Sequence, residues 1–171
     1  MLSFFRNPLR SLASKFSKKR PQTLSTRLAK KRIKDTATMA VIKLVIEQLG
    51  LMHNTGYAHM GVNADNIELT PEGKVQLHCC SSTTYFGLTE DVVYEKTSKT
   101  VDVRCVGYLA AQLVLGGESY SLKPNDLLDE TNAKKLLKRL KDANVADFFI
   151  RFINICLEQN TSMEDLDDFV K

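Results

Sequence analysis

The chain has 171 residues, 43% hydrophobic and 26% charged, which is enough for one ordinary globular core and typical of a soluble protein. No apolar run approaches the roughly 18 residues that cross a bilayer, so no membrane-spanning segment is predicted. The net charge of +4 conceals an asymmetry, because residues 1–34 carry eleven Lys and Arg and no acid, whereas the remainder carries thirteen bases and twenty acids. We therefore predict a basic arm, residues 1–35, attached to one acidic domain, residues 36–171.

The arm contains an amphipathic pattern with several interpretations. Its apolar residues recur at spacings of three and four, with basic residues off the stripe: Leu2, Phe5, Leu9, Leu12 and Phe16. Such a helix fits a mitochondrial presequence, a membrane-surface helix or a partner-docking helix. Two basic clusters, at 18–20 and 30–32, also fit a bipartite nuclear import signal or a nucleic-acid patch. A disordered arm without a specific role is the remaining alternative.

The cysteines indicate the compartment. Four are present without regular spacing, and neither a secretory signal nor a CxxC pair accompanies them. We expect a reduced intracellular compartment, nuclear or cytoplasmic, with mitochondrial as the alternative. Cys79 and Cys80 are adjacent, which suits neither a mutual disulfide nor the usual ligand spacing of a zinc site. His78 beside them leaves a metal site as a minor alternative.

The first half of the domain shows a helix followed by a hairpin. Apolar residues at helical spacing, among them Met39, Ile42, Ile46 and Leu49, predict a helix over roughly 36–54. Residues 66–78 alternate around a Thr-Pro-Glu-Gly turn, which predicts two short antiparallel strands.

The second half is predicted to be helical throughout. Residues 100–115 are apolar on nearly every side, which indicates a helix buried at the centre. Three amphipathic helices follow, and the third opens with Thr161 and Glu164 as a capping box. The predicted fold class is mostly α with one short β-hairpin.

Residues 49–77 resemble the part of a protein kinase that runs from its long C-lobe helix through the catalytic loop. The kinase motif is H-R-D-L-x-x-x-N, in which the Asp accepts the substrate proton and the Asn holds magnesium. The chain has HMGVNADN, so His59 and Asn66 match, while Gly61 replaces the Asp. Asn63 stands where many kinases have a Lys.

Later motifs follow in the kinase order but are degenerate. Cys79-Cys80-Ser81 stands where the magnesium-binding Asp-Phe-Gly is expected, Glu90 matches the Glu of Ala-Pro-Glu, and Asp102 opens a segment that is similar to the family's buried central helix. The segments GYAHMGVNADN and VGYLAAQLVLGGESY resemble the casein-kinase and vaccinia-related-kinase branch. The resemblance implies a kinase-like C-lobe over residues 36–171. Nothing before residue 36 offers the Gly-rich loop or sheet of an N-lobe.

The resemblance also implies roles for single residues. His59 is expected to brace the loop, or equally to be a satisfied core histidine. Asn66 is a doubtful cofactor ligand, with a turn residue that bonds nearby backbone as the preferred alternative. Asp102 is expected either to accept backbone N–H groups of the loop or to cap a helix. Glu90 is expected to be structural. His53 has no acid or cysteine near it in sequence.

Because the catalytic Asp, a magnesium carboxylate and the N-lobe are missing, phosphoryl transfer by the family's route is not expected, and neither is a cofactor. The leading hypothesis is a non-catalytic pseudokinase that binds a protein, such as a kinase or a kinase substrate. Its apolar upper face would be covered by the arm residues Phe5, Leu9, Leu12 and Phe16 or by a partner. Two alternatives are nucleic-acid or anionic-membrane binding through residues 1–34 and an atypical phosphotransferase.

Overall fold

The computed structural model describes residues 22–28, 33–70, 73–87, 92–116, 124–158 and 161–170. Within these ranges the chain forms short strands near the start and helices elsewhere. The strands are β1 (Gln22–Thr23), β2 (Tyr57–Ala58), β3 (Ile67–Leu69), β4 (Val75–Leu77) and β5 (Thr84–Tyr85). The helices are α1 (Leu24–Leu28), α2 (Asp35–Asn54), α3 (Val92–Leu115), α4 (Pro124–Leu127), α5 (Glu130–Asp142), α6 (Asp147–Leu157) and α7 (Met163–Val170).

The helix α3 is the centre of the domain. Every residue from Val101 to Val114 is buried, and α2, α5 and α6 pack around it. A Cβ added at Gly107 would lie 2.7 Å from the Cβ of Cys156, so the glycine lets α3 and α6 approach closely. The prediction of a buried central helix is confirmed, although the helix begins at Val92 and is longer than predicted.

The predicted hairpin is formed by β3 and β4, which pair in antiparallel register with Ile67 opposite Leu77 and Leu69 opposite Val75. The side chain of Gln48 holds this hairpin on α2. Its Nε2 donates to the Val75 carbonyl at 3.3 Å and its Oε1 accepts from the Leu77 N–H at 3.0 Å. One amide thus satisfies two backbone groups on an edge strand.

Two further strand pairings were not predicted. β1 adds to the free side of β3, with Gln22 opposite Leu69, and β2 pairs with β5. Each of these strands has only two residues, which is too short for an alternating pattern to appear in the sequence. The domain is therefore mostly helical, as predicted, with two small antiparallel sheets.

The folded region begins earlier than the predicted boundary at residue 35. Leu24, Leu28 and Ile33 are buried and belong to the hydrophobic core. β1 places this segment against β3, and the Ser25 N–H donates to the Ala64 carbonyl at 3.0 Å. The boundary was predicted from the run of basic residues that extends to Lys34, and these three apolar residues lie within that run. Residues 22–28 therefore belong to the domain and not to the arm.

The capping box at the start of α7 lies one residue later than predicted. Ser162 and Asp165 form it, since the Ser162 N–H donates to Asp165 Oδ2 at 2.9 Å and the Asp165 N–H donates to Ser162 Oγ at 3.2 Å. The Ser162 N–H and the Ser162 hydroxyl both donate to Asp165 Oδ2, and these two bonds hold the pKa of Asp165 below its usual value. The Thr161 hydroxyl instead donates to the Ile155 carbonyl at 2.7 Å, which ties the end of α6 to the start of α7.

A buried arginine connects the central helix to the segment after it. Arg104 is 2% exposed, and its Nη1 and Nη2 donate to the Leu127 carbonyl at 3.0 Å and to Glu130 Oε1 at 2.8 Å.

Within the described ranges no helix combines the length and apolar character needed to cross a bilayer.

Candidate functional site

The loop of residues 59–66, between β2 and β3, is held by a carboxylate on the central helix. Asp102 is fully buried, and its two oxygens accept the N–H groups of His59 at 2.8 Å and Met60 at 2.7 Å. Because Asp102 lies in the interior of α3, the helix-cap alternative is wrong. The carboxylate acts as a backbone anchor for the loop.

His53 supplies a third donor to the same carboxylate. Its Nε2 lies 2.9 Å from Asp102 Oδ2, and its side chain is only 8% exposed. Asp102 is 49 residues away along the chain, so local sequence gives His53 no acidic partner. Packing of the last turn of α2 on α3 brings the two side chains together.

His59 is a buried histidine with a satisfied ring. Its Nε2 lies 2.7 Å from the His78 carbonyl, so this nitrogen carries the proton and donates. Its Nδ1 lies 3.8 Å from Cys80 Sγ. The ring thus links the loop to the segment after β4.

Asn63 and Asn66 shape the loop by bonding its own backbone. Both side-chain amides donate to the Gly61 carbonyl, at 3.1 and 2.8 Å, and Asn63 Oδ1 accepts from the Asp65 N–H at 2.8 Å. These contacts are those of turn residues. Among the residues that the structure describes, no group of three or more His, Cys, Asp or Glu is arranged to hold a metal ion.

Gly61, which the resemblance to kinases aligns with the catalytic Asp, faces a thiol. A Cβ added there would lie 3.0 Å from Cys80 Sγ, which is closer than real Cβ contacts normally come. Cys80 is partly buried, and its Sγ also lies 3.4 Å from the His59 carbonyl oxygen. Cys80 therefore crowds the position that the Cβ of any larger residue at position 61 would take.

Met60 has a backbone conformation that sequence reasoning did not predict. Its φ is 61°, in the left-handed region, which costs an L-residue about 1–2 kcal/mol. The bond from its N–H to Asp102 holds this conformation in place. A methionine carries no sequence signal for positive φ, since Gly and Asn are the residues enriched there.

The four cysteines differ in their surroundings. Cys79 is exposed, whereas Cys105 and Cys156 are buried, and burial raises the pKa of both buried thiols far above the usual value. Asp102 is a further cause that raises the pKa of Cys105. All four are free, and the two buried thiols have the character of small apolar core residues.

The expected apolar upper face is not exposed in the described residues. Val62, Ile67 and Leu69 are each less than 5% exposed, and β1 and α1 pack on the same sheet. The arm residues that were predicted to cover such a face lie outside the described residues, so their docking stays a prediction. Residues 22–28, which are part of the domain, contribute to their burial.

A group of exposed tyrosines lies on the smaller sheet. Tyr57 and Tyr85 are 43% and 45% exposed, with ring centroids 4.6 Å apart, and Tyr94 is similarly exposed with its hydroxyl 2.7 Å from Thr84 Oγ1. We call these three residues the tyrosine patch. No pattern in the sequence connects them, because the pairing of β2 with β5 creates the patch.

The remaining predicted site residues, Glu90 and the arm residues Phe5, Leu9, Leu12 and Phe16, lie outside the described residues. No protein-family model matches the chain, and no curated protein matches it either. The resemblance to kinases thus depends on the residues quoted above, and the function that it implies stays a proposal.

Proposed function

We propose that the chain is a non-catalytic, pseudokinase-type module that acts by binding a protein. The observation that carries this proposal is the pairing of Gly61 with Cys80. At the position where the resemblance places the catalytic base, the chain has no carboxylate, and Cys80 Sγ would lie 3.0 Å from any added Cβ. A side chain at this position would require Cys80 Sγ to shift by a few tenths of an ångström.

The other loop contacts support the same proposal. Asp102 anchors the His59 and Met60 N–H groups, His59 bonds the His78 carbonyl, and Asn66 bonds the Gly61 carbonyl. Each contact stabilises the shape of the loop, and none presents a proton acceptor to a substrate. A loop that keeps its framework without its reactive groups is what a binding module derived from a kinase would have.

The tyrosine patch is the surface that we assign to the partner. Tyr and Trp dominate protein interfaces, because they bury a large rigid ring at low entropic cost and keep a polar end. Exposed Val93 lies beside Tyr94 in the first turn of α3. The partner class we propose is a protein kinase or a kinase substrate.

The first experiment tests nucleotide binding in the full chain. Thermal unfolding is measured with ATP, with and without magnesium, and no shift in melting temperature is expected. A ligand at 100 times its Kd would stabilise the native state by about 2.7 kcal/mol, so binding would be detected readily. Magnesium-dependent stabilisation that disappears in Asn66→Ala would overturn the non-catalytic proposal in favour of an atypical phosphotransferase.

The second experiment tests the tyrosine patch. The wild type and the double variant Tyr57→Ala/Tyr85→Ala are compared in co-purification, with Phe148→Ala as the control because Phe148 is 38% exposed on a different element, α6. A stoichiometric partner should be lost from the double variant and retained by the control. Recovery of no stoichiometric partner, or retention by both variants, would contradict the assignment.

A second candidate function is binding of nucleic acid or an anionic membrane through the arm, which the eleven bases in residues 1–34 favour. Its signature is an affinity that falls steeply with salt. The deletion that tests it should stop before Gln22, because β1 and α1 are part of the fold. Unchanged affinity after removal of residues 1–20 would exclude this candidate.

A further inference from the structure

An open groove lies between α2 and α7, and its lining includes no residue of the tyrosine patch among those that the structure describes. Its volume is about 540 Å³, and its apolar lining residues are Ile46, Leu51 and Met163. Leu51 is 68% exposed although its neighbours in the groove are nearly buried. The Cβ position of Gly50 has no atom within 4 Å, so this part of α2 is open to an incoming side chain.

The groove also carries charge of one sign. Four carboxylates line it, Glu47, Glu164, Asp167 and Asp168, and no Lys or Arg is among the lining residues that the structure describes. A groove with an apolar centre and an acidic border fits an amphipathic helix whose polar side is basic, by the helix-in-groove mode of recognition.

The chain itself contains such a segment. Residues 1–20 carry six Lys and Arg and no acid, and their apolar positions recur at helical spacing. The charge is opposite to that of the groove. The apolar residues Leu2, Phe5, Leu9 and Leu12 match the character of Leu51 and Met163, and Arg6 and Arg10 match the carboxylates.

The connection to the folded domain is long enough for binding within one chain. β1 is two strand positions away from β4, and β4 packs on α2. Two strand spacings of about 4.8 Å and one helix diameter of about 10 Å place Gln22 about 20 Å from the far side of α2. The nine residues between Leu12 and Gln22 span up to about 30 Å when extended. A tether of this length gives an effective concentration on the order of millimolar.

We propose that residues 2–12 bind as an amphipathic helix in the α2–α7 groove of the same chain. The apolar stripe covers the exposed Leu51, next to the buried Met163, and Arg6 and Arg10 approach Glu47 and Glu164. Bound in this way, the arm is sequestered from nucleic acid, membranes and import receptors. The groove and those targets then compete for the arm.

Disulfide trapping in the full chain tests the proposal. Leu9→Cys is combined with Leu51→Cys, in a background of Cys79→Ser and Cys80→Ala, and mild oxidation is followed by peptide mapping. The matched control pairs Leu9→Cys with Val93→Cys, because Val93 is 74% exposed and lies on α3, outside the groove. Intramolecular cross-linking is expected to be about tenfold greater at position 51 than at position 93.

The charge contribution is tested in the same assay. Glu47→Lys/Glu164→Lys should lower the yield at position 51 severalfold, and so should 0.5 M salt, which screens surface charges. Equal yields at positions 51 and 93 would overturn the proposal. A disulfide formed only between two copies would overturn it as well, since the groove would then bind a neighbouring chain.

A second measurement avoids the engineered cysteines. Amide hydrogen exchange of α2 and α7 is compared between the wild type and Arg6→Glu/Arg10→Glu, which changes no residue of the folded domain. Faster exchange of both helices in the variant is expected. Identical exchange would contradict binding in the groove even if the cysteine variants failed to fold.

Discussion

The imidazole Nε2 of His53 lies 2.9 Å from Oδ2 of Asp102, a carboxylate 49 residues further along the chain. The same carboxylate accepts two N–H groups of the loop that follows β2. One buried side chain thus connects the end of α2, the loop and the central helix. Removal of this carboxylate should affect all three elements together.

Asp102→Ala is expected to lower the free energy of unfolding by about 3–5 kcal/mol, because two N–H groups and an imidazole would lose a buried charged acceptor. His53→Leu removes only one donor and should cost about 1–2 kcal/mol. Urea unfolding of both variants measures the difference. A smaller effect for Asp102→Ala than for His53→Leu would show that the carboxylate is not the common anchor.

Gly61→Asp is expected to destabilise the fold by about 1–3 kcal/mol, because its Cβ would overlap Cys80 Sγ. It is also expected to confer no kinase activity, because a magnesium carboxylate and an N-lobe would still be missing. Replacement of Cys80 with Ala removes the sulfur and should recover part of the loss. A double-mutant cycle in urea measures the coupling between the two positions. Additive effects of the two substitutions would argue against their contact.

Two glycines in helices should respond to alanine with opposite signs. Gly107→Ala places a Cβ 2.7 Å from the Cβ of Cys156, so we expect a loss of about 1–3 kcal/mol from overpacking. Gly50→Ala meets no atom within 4 Å and should stabilise α2 by about 0.5–1 kcal/mol. Thermal unfolding of the two variants side by side checks both. A Gly107→Ala variant that is at least as stable as the wild type would refute the close approach of α3 and α6.

Thiol titration should separate the cysteines by burial. At neutral pH Ellman's reagent should react rapidly with exposed Cys79, whereas Cys105 and Cys156 should react only after unfolding. Burial raises the pKa of these two thiols above the ordinary value of 9.0, so only the unfolded chain ionises them as the pH rises past that value. Stability contributed by the neutral thiols is therefore full below pH 9 and falls above it. Reaction of Cys156 in the native protein at a rate close to that of Cys79 would contradict this.

The parts of the fold that sequence analysis predicted are those with a local signal. The 3.6-residue period located α2 and α6, and the Pro-Gly turn located the β3–β4 hairpin. The parts that it missed depend on contacts between distant residues. β1 is too short to show a pattern in the sequence, and it forms only by pairing with β3. The bond of Arg104 to Glu130 joins residues 26 positions apart, so no local pattern indicates it.

The same division applies to the candidate site. The motif spacing placed His59, Asn66 and Asp102 in one loop framework, and the structure shows bonds that connect each of them to the loop. The partnership of Gly61 with Cys80 was not predicted, because it requires the segment after β4 to turn back toward the loop. Neither the tyrosine patch nor the groove follows a period, since each combines residues from separate elements.

The pairing of β1 with β3 also affects how the chain is made. Synthesis proceeds from the N terminus, so Leu24 and Leu28 leave the ribosome before the strand that pairs with their segment exists. Leu69 follows its partner Gln22 by 47 positions, a delay of about 2–9 s at typical elongation rates. During that interval two leucines of the future core have no strand to pack against, and exposed apolar surface of this kind makes a nascent chain prone to aggregate. The segment that begins the folded domain is thus among the last to be completed.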